Sequence, residues 1–195
     1  MANPAKKNSS SAKIRSFMTR EHLTKGLIQV YTGDGKGKTT CALGLALRAV
    51  GQGLQVYMIQ FLKGRETGEA KAAARLAPEM TLRYLGRPGL VNLRAPAPED
   101  LARVKEAWDL ARQVISAGAH DLVILDEINL ALTHGLIPLE EVLKVLQGRP
   151  PGVEVVLTGR QAPPELVALA DLVTEMRSVK HYYQAGVKSR RGIEW

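Results

Sequence analysis

The 195-residue chain has one cysteine, Cys41. It can form no disulfide within itself and no thiolate zinc site. Its place on an expected helix behind a glycine-rich loop predicts a buried, unreactive thiol. Aromatic residues are scarce, at 5%; few side chains are available to stack on bases, which argues against nucleic acid as the partner. No apolar run reaches the roughly 18 to 20 residues that span a bilayer, and the N-terminal MANPAKKNSSSAKIRSF lacks the apolar core of a secretory signal. A cytoplasmic protein with no membrane partner is expected. His22, His120, His134 and His181 have no zinc-like spacing.

Acidic residues are short at both ends. Residues 1–26 carry Lys6, Lys7, Lys13, Arg15, Arg20 and Lys25 against Glu21, and residues 177–195 carry Arg177, Lys180, Lys188, Arg190 and Arg191 against Glu194. The whole basic excess behind the net charge of +8 lies in these two ends. Such ends suit a polyanion or are solvated tails. Residues 1–24 read as a basic segment set apart from one domain over residues 25–195, large enough, at 45% hydrophobic residues, to bury a core.

What is present is an alternation of strands and helices. Apolar, β-rich runs predict strands over 26–32, 54–62, 80–85, 120–127, 153–159 and 172–177, and helical spacing predicts helices over 37–50, 70–76, 100–117, 138–147 and 164–170. Continuous apolar strands between helices imply a parallel sheet covered on both faces, with ligands at the carboxyl ends of the strands. The expectation is an α/β, three-layer P-loop NTPase (RecA-like) fold with a mainly parallel sheet of about five or six strands.

At the end of the first strand stands VYTGDGKGKTTCALG, Val30 to Gly44. The strict phosphate-loop pattern, GxxxxGK followed by Ser or Thr, asks for glycine where this chain has Thr32. The rest fits. Gly33, Gly35 and Gly37 keep side chains out of a cradle of backbone N–H groups, Lys38 reaches phosphates, and the Thr39 hydroxyl is placed to ligate Mg²⁺. Lys36 adds positive charge. Later, Leu122–Leu125 runs into Asp126 and Glu127. Carboxylates at the end of a buried strand need a cation or donors, as in the Walker B arrangement, so Thr39, Asp126 and Glu127 are the candidate metal ligands. These features define a Mg·ATP or Mg·GTP binder and leave the reaction open.

Taken in order, KGLIQVYTGDGKGKTTCALGLALRAVGQG, VYMIQFLKGRETGE, DLVILDEINLAL, IPLEEVLKVLQGRP, VVLTGR and LADLVTEMRSVKHYYQAGVKSRRGIEW resemble the phosphate-loop ATP:cob(I)alamin (corrinoid) adenosyltransferases, over about residues 25 to 195. In that family the loop reads TGxGKGKTT, so Thr32 belongs to the pattern. The resemblance implies transfer of the 5′-deoxyadenosyl group of ATP to the Co(I) of a corrinoid, cobalamin or a precursor such as cobyrinic acid diamide, with triphosphate leaving intact. ATP, Mg²⁺ (or Mn²⁺) and the corrinoid are the implied ligands, and a low-potential electron donor and a second copy of the chain in a homodimer the implied partners. Lys38, Thr39 and Glu127 are the implied catalytic residues. Thr32, Gly33, Asp34, Gly35, Lys36, Gly37, Lys38, Thr39, Thr40, Arg48 and Arg160 are the implied ATP contacts. Members carry bulky aromatics where this chain has GRPGLVN, which leaves Leu90, Val91 and His181 as the corrinoid candidates. The resemblance also implies that the N-terminal segment closes as a lid over the active site. Two other readings of the motifs are a RecA-like ATPase acting on nucleic acid and a small-molecule kinase.

Overall fold

The computed structural model describes residues 22–89 and 91–194. Six strands alternate with helices: β1 (Ile28–Thr32), α1 (Lys38–Gly51), β2 (Val56–Phe61), α2 (Gly68–Ala74), β3 (Met80–Leu85), α3 (Pro98–Ala117), β4 (Leu122–Asp126), α4 (Ile128–Thr133), α5 (Leu139–Gln147), β5 (Glu154–Thr158), α6 (Pro164–Leu169) and β6 (Leu172–Glu175). A short 3-10 turn covers Tyr182–Ala185. Every strand pairing is parallel, in the order β3-β2-β4-β5-β1-β6. The sheet is the expected one, with each boundary within two residues of the sequence reading.

Alternation along the strands builds three layers, because successive side chains leave opposite faces of a strand. Val30, Ile59, Val123, Leu125 and Val155 face one core with Trp108 of α3, whereas Tyr31, Met58, Ile124 and Val156 face another with the alanines of α1. Helix α1 lies close to the sheet because its buried positions, Ala42, Ala46 and Ala49, are small and recur every three to four residues. That register turns Cys41 outward. The thiol is exposed, which corrects the expectation of a buried one: the apolar face of α1 falls on the alanines beside it. The longest helix, α3, begins with Pro98, ends at Gly118 in the left-handed region (φ 63°), and buries Val104, Ala107, Trp108, Ala111 and Ile115.

Strand β4 is buried along its whole length, while β6, at the sheet edge, is exposed throughout; Leu172 is 43% accessible. Strands β1 and β4 flank β5. Their carboxyl ends open at one rim of the sheet, where α/β proteins of this topology bind ligands. At the opposite rim, Asp121 accepts hydrogen bonds from Gln55 N (2.8 Å) and Leu23 N (3.2 Å), and its Oδ1 lies 2.9 Å from His22 Nδ1. The chain is thereby tied to the amino-terminal side of the sheet. Of the expected basic segment over residues 1–24, residues 1–21 lie outside the described residues. Among the described residues no helix is long and apolar enough to cross a membrane.

Candidate active site

Residues 33–37 form the turn between β1 and α1. Gly33 and Gly37 have φ of 91° and 126°, values that side-chain-bearing residues rarely adopt. Space is also limiting: a Cβ on Gly33 or Gly35 would stand 2.5 or 2.7 Å from the carbonyl oxygen of Met176, to which Gly35 N donates a 2.6 Å hydrogen bond. These glycines therefore serve the chain leaving β6 as well as the phosphate cradle. Thr32 has a structural task of its own. Its hydroxyl accepts from Ala162 N at 3.1 Å, pinning the loop strand to the turn after β5. A glycine there would forfeit that bond, which gives a physical reason for threonine at this position.

The four residues singled out at the centre of the motif converge. Lys38, 8% exposed, donates to the carbonyls of Gly33 (2.6 Å) and Gly35 (2.8 Å). An ammonium has three N–H donors, so a third remains for a phosphate oxygen. Burial pushes the Lys38 pKa down, against the opposing pull of Glu127. Thr39 Oγ1 donates to Asp126 Oδ1 at 2.8 Å, which puts two of the three candidate metal ligands in contact. Glu127 follows at once, with its backbone in the left-handed region (φ 66°) at the start of α4 and its N–H donating to Thr158 Oγ1 at 3.1 Å. Such a backbone in a non-glycine residue is held in place by its surroundings and is common at functional sites. Burial, then the neighbouring Asp126 charge, raises the Glu127 pKa, and Lys63, Lys38 and Arg160 oppose the rise.

Above these groups lies an open cleft of about 620 Å³. The loop residues Asp34 to Thr40 line it, with Lys63, Glu127, Arg160, His181 and Glu194. Arg160 reaches across the mouth to Asp34, 3.6 Å away. Lys36 Nζ contacts the carbonyl of Ile193 at 3.5 Å, so the C-terminal segment forms one wall. That wall is braced by Glu194, which accepts from Tyr182 Oη and from Arg190 Nη2 (3.1 Å); Arg190, then Tyr182, hold the Glu194 pKa down to about 2. His181 lines the cleft, with Nδ1 accepting from Tyr183 N at 3.1 Å.

Two sequence candidates among the described residues lie outside the cleft lining. Arg48 is in the last turn of α1, nine residues beyond Thr39 and hence about 13 Å along the helix axis, exposed and outside the cleft lining. Val91 is half-buried and outside the lining, and Leu90 lies outside the described residues.

Other residues enter the site that no motif announced. The carboxylate of Asp126, 0% exposed, is held by side chains alone: Thr39, Thr158 (2.6 Å), Gln60 (3.0 Å) and Lys63 (2.7 Å). Gln60 Nε2 also donates to Glu69 at 3.1 Å. Asn129 Nδ2 donates to Gly159 O at 3.0 Å, bracing the loop that carries Arg160. The signal for Gln60 and Thr158 was a polar residue near the carboxyl end of an otherwise apolar strand, in VYMIQF and EVVLT.

As a metal site the donor set is all oxygen: a hydroxyl and two carboxylates. That suits Mg²⁺ or Mn²⁺ and lacks the imidazole or thiolate ligands on which copper and zinc sites are usually built. Among the described residues there is no group of three or more His, Cys, Asp or Glu that could hold a metal ion.

A glycine-rich turn feeding a helix that opens with Lys-Thr, two strands away from a buried carboxylate, defines a phosphate-loop nucleotide-binding protein of RecA-like fold. The flagellar accessory protein FlaH from Methanocaldococcus jannaschii shares this architecture, with a TM-score of 0.54 over 82% of this chain and 78% of its own at 9% identity. Within that class, the chain belongs to the ATP:corrinoid adenosyltransferase family BtuR/CobO/CobP, whose model matches residues 24–195. It is 40% identical over 172 residues to a corrinoid adenosyltransferase of Pseudomonas aeruginosa, covering 88% of this chain and 84% of that one. To the corrinoid adenosyltransferase of Escherichia coli it is 38% identical over 184 residues, covering 94% and 92%.

Proposed function

We propose that the protein transfers the 5′-deoxyadenosyl group of ATP to the Co(I) centre of a corrinoid and releases triphosphate. The cobalt lone pair attacks the ribose 5′ carbon, the carbon–oxygen bond breaks, and the triphosphate leaves with that electron pair as cobalt passes from Co(I) to Co(III). The nucleophile comes with the substrate, so the protein need supply no catalytic Ser, Cys or His of its own.

The chain's own residues then have two tasks, positioning and charge stabilisation. The N–H groups of residues 36–39, Gly35 N being held by the Met176 carbonyl, and the ammonium groups of Lys36 and Lys38 meet the charge that develops on the leaving triphosphate. Arg160 approaches it from the far side of the mouth. Thr39, Asp126 and Glu127 are the residues that would hold Mg²⁺, which supplies further neutralisation of the phosphate oxygens. Asp34 and Arg48 are assigned to the nucleoside end and His181 to the corrinoid side. The substrate corrinoid is cobalamin or a precursor, reduced by a low-potential electron donor, and the working unit is a homodimer. The observation that carries this reading is the family match over residues 24–195, with Lys38, Thr39, Asp126 and Glu127 gathered at one rim of the sheet.

The test is the product. Incubated anaerobically with Mg·ATP and chemically reduced cobalamin, the protein should yield a light-sensitive cobalt–carbon bond and one triphosphate per adenosyl group. ADP and phosphate alone would refute the assignment.

A further inference from the structure

Lys63 is absent from the phosphate-loop motifs, yet it makes the shortest charged contact to their buried carboxylate. Its ammonium is 2.7 Å from Asp126 Oδ2 and 3.9 Å from Glu69 Oε1, and the side chain is 26% exposed on the cleft wall. The backbone is shaped to bring it there. The preceding residue, Leu62, has φ of 60°, unusual for a leucine. Gly64 packs against the Arg87 carbonyl so closely that a Cβ would stand 2.1 Å from its oxygen. A second observation lies beside the pair. Gln60, 0% exposed, uses its Nε2 to bridge Asp126 and Glu69, while its Oε1, on the same carbon, is buried without a hydrogen-bond partner. A buried carbonyl with no donor is costly, and its persistence marks a place where a donor can arrive.

We propose that Lys63 is a positioning residue that stands in for the divalent cation. In the cation-free protein its ammonium holds Asp126 beside Thr39; when the cation is bound, Lys63 leaves Asp126 for Glu69 and Gln60 Oε1, on the cleft wall. The exchange keeps a positive charge on the buried carboxylate in both states, so the site never holds an unpaired anion. Four short contacts fix Asp126 in advance, and three of them, from Thr39, Thr158 and Gln60, can persist while Lys63 moves. The proposal rests on the cation-binding part of the reading above and is independent of the adenosyl acceptor.

The experiment is a Mg²⁺ titration of the full chain without nucleotide or corrinoid, read as the midpoint of thermal stabilisation. Lys63→Met should unfold at a lower temperature without cation and show a Mg²⁺ midpoint at least tenfold lower than the native protein. Lys63→Arg, which keeps charge and reach, should bring the midpoint back to within threefold. Lys36→Met removes a cleft charge that does not touch Asp126, and should move the midpoint less than twofold. The proposal fails if Lys63→Met has the native midpoint or no Mg²⁺ response, if Lys63→Arg behaves like Lys63→Met, or if Lys36→Met shifts as far. Should Lys63→Met not fold, Glu69→Gln takes its place: removal of the receiving carboxylate should raise the midpoint at least threefold, and an unchanged midpoint overturns the idea. Because no adenosyl transfer is read, a wrong substrate assignment would leave this result standing.

Discussion

Two buried aspartates bracket β4, and they are held in opposite ways. Asp121, just before the strand and 2% exposed, takes two of its three partners from the backbone, Gln55 N and Leu23 N, with His22 as the third. Asp126, the last residue of the strand and 0% exposed, takes all four of its hydrogen-bond partners from side chains. Backbone donors cannot leave without undoing the fold, whereas side-chain donors can rotate away. The first carboxylate is therefore architecture and the second exchangeable. Their electrostatics agree: burial pushes the Asp121 pKa up, but the Gln55 N–H, His22 and the Leu23 N–H outweigh it and hold it below the usual range.

Substitutions at the two ends should separate chemistry from stability. The largest effect is expected of Asp126→Asn, which should slow adenosyl transfer by about 10²–10³-fold, the range seen when one preorganised charge-stabilising group is lost. Stability should fall by about 1 kcal/mol, the scale of the one Gln60 hydrogen bond lost at Oδ2, because Lys63 is partly exposed and can turn to water. Single-turnover kinetics and thermal melting measure the two. Asp121→Ala reverses the pattern: two backbone donors and His22 lose their partner, at about 3 kcal/mol of unfolding free energy, while turnover per folded molecule stays within about twofold. Urea unfolding beside active-site titration checks it.

Glu127→Gln tests the same rim from the other side. The raised Glu127 pKa means that the fold disfavours its ionised form. Its contribution is thus present below the unfolded carboxyl value and lost as pH rises through the folded one. In chelator at about pH 7, Glu127→Gln should be more stable than the native protein, by about 1 kcal/mol, the scale of relief at strained active sites. The difference should close as pH is lowered towards the ordinary carboxyl range, and a gap independent of pH would contradict the assignment. The smallest change is His22→Ala, expected to cost about 1 kcal/mol through one lost hydrogen bond and to leave turnover alone.

The sheet was legible because its strands are continuous apolar runs and its helices carry a 3.6-residue repeat; the rim was legible where residue spacing encodes chemistry, as in Lys38, Thr39, Asp126 and Glu127. Lys63, Gln60 and Thr158 escaped for a physical reason. They come from two stretches far apart in sequence, the end of β2 with the residues just after it and the end of β5, and only the strand order β2-β4-β5 brings their side chains to one carboxylate. Arg48 is near in sequence to the loop, but the rise of the helix places it outside the cleft lining. Cys41 shows that a repeat gives a helix's period more surely than its phase, since the alanines alone decide which side is packed. The glycines of the loop were expected to clear room for phosphate, and the approach of Met176 supplies a second constraint that spacing could not reveal.

The tie between His22 and Asp121 decides where the chain can be cut. A protein shortened after residue 21 keeps the imidazole on the buried carboxylate, so its activity reports on the removed arm. One that starts at residue 25 loses the arm together with two ligands of Asp121, and any fall in turnover would confuse loosened folding with lost chemistry. The same tie lies at the rim of the sheet opposite the cleft, and the height of β4 that separates the two is about 17 Å for a five-residue strand.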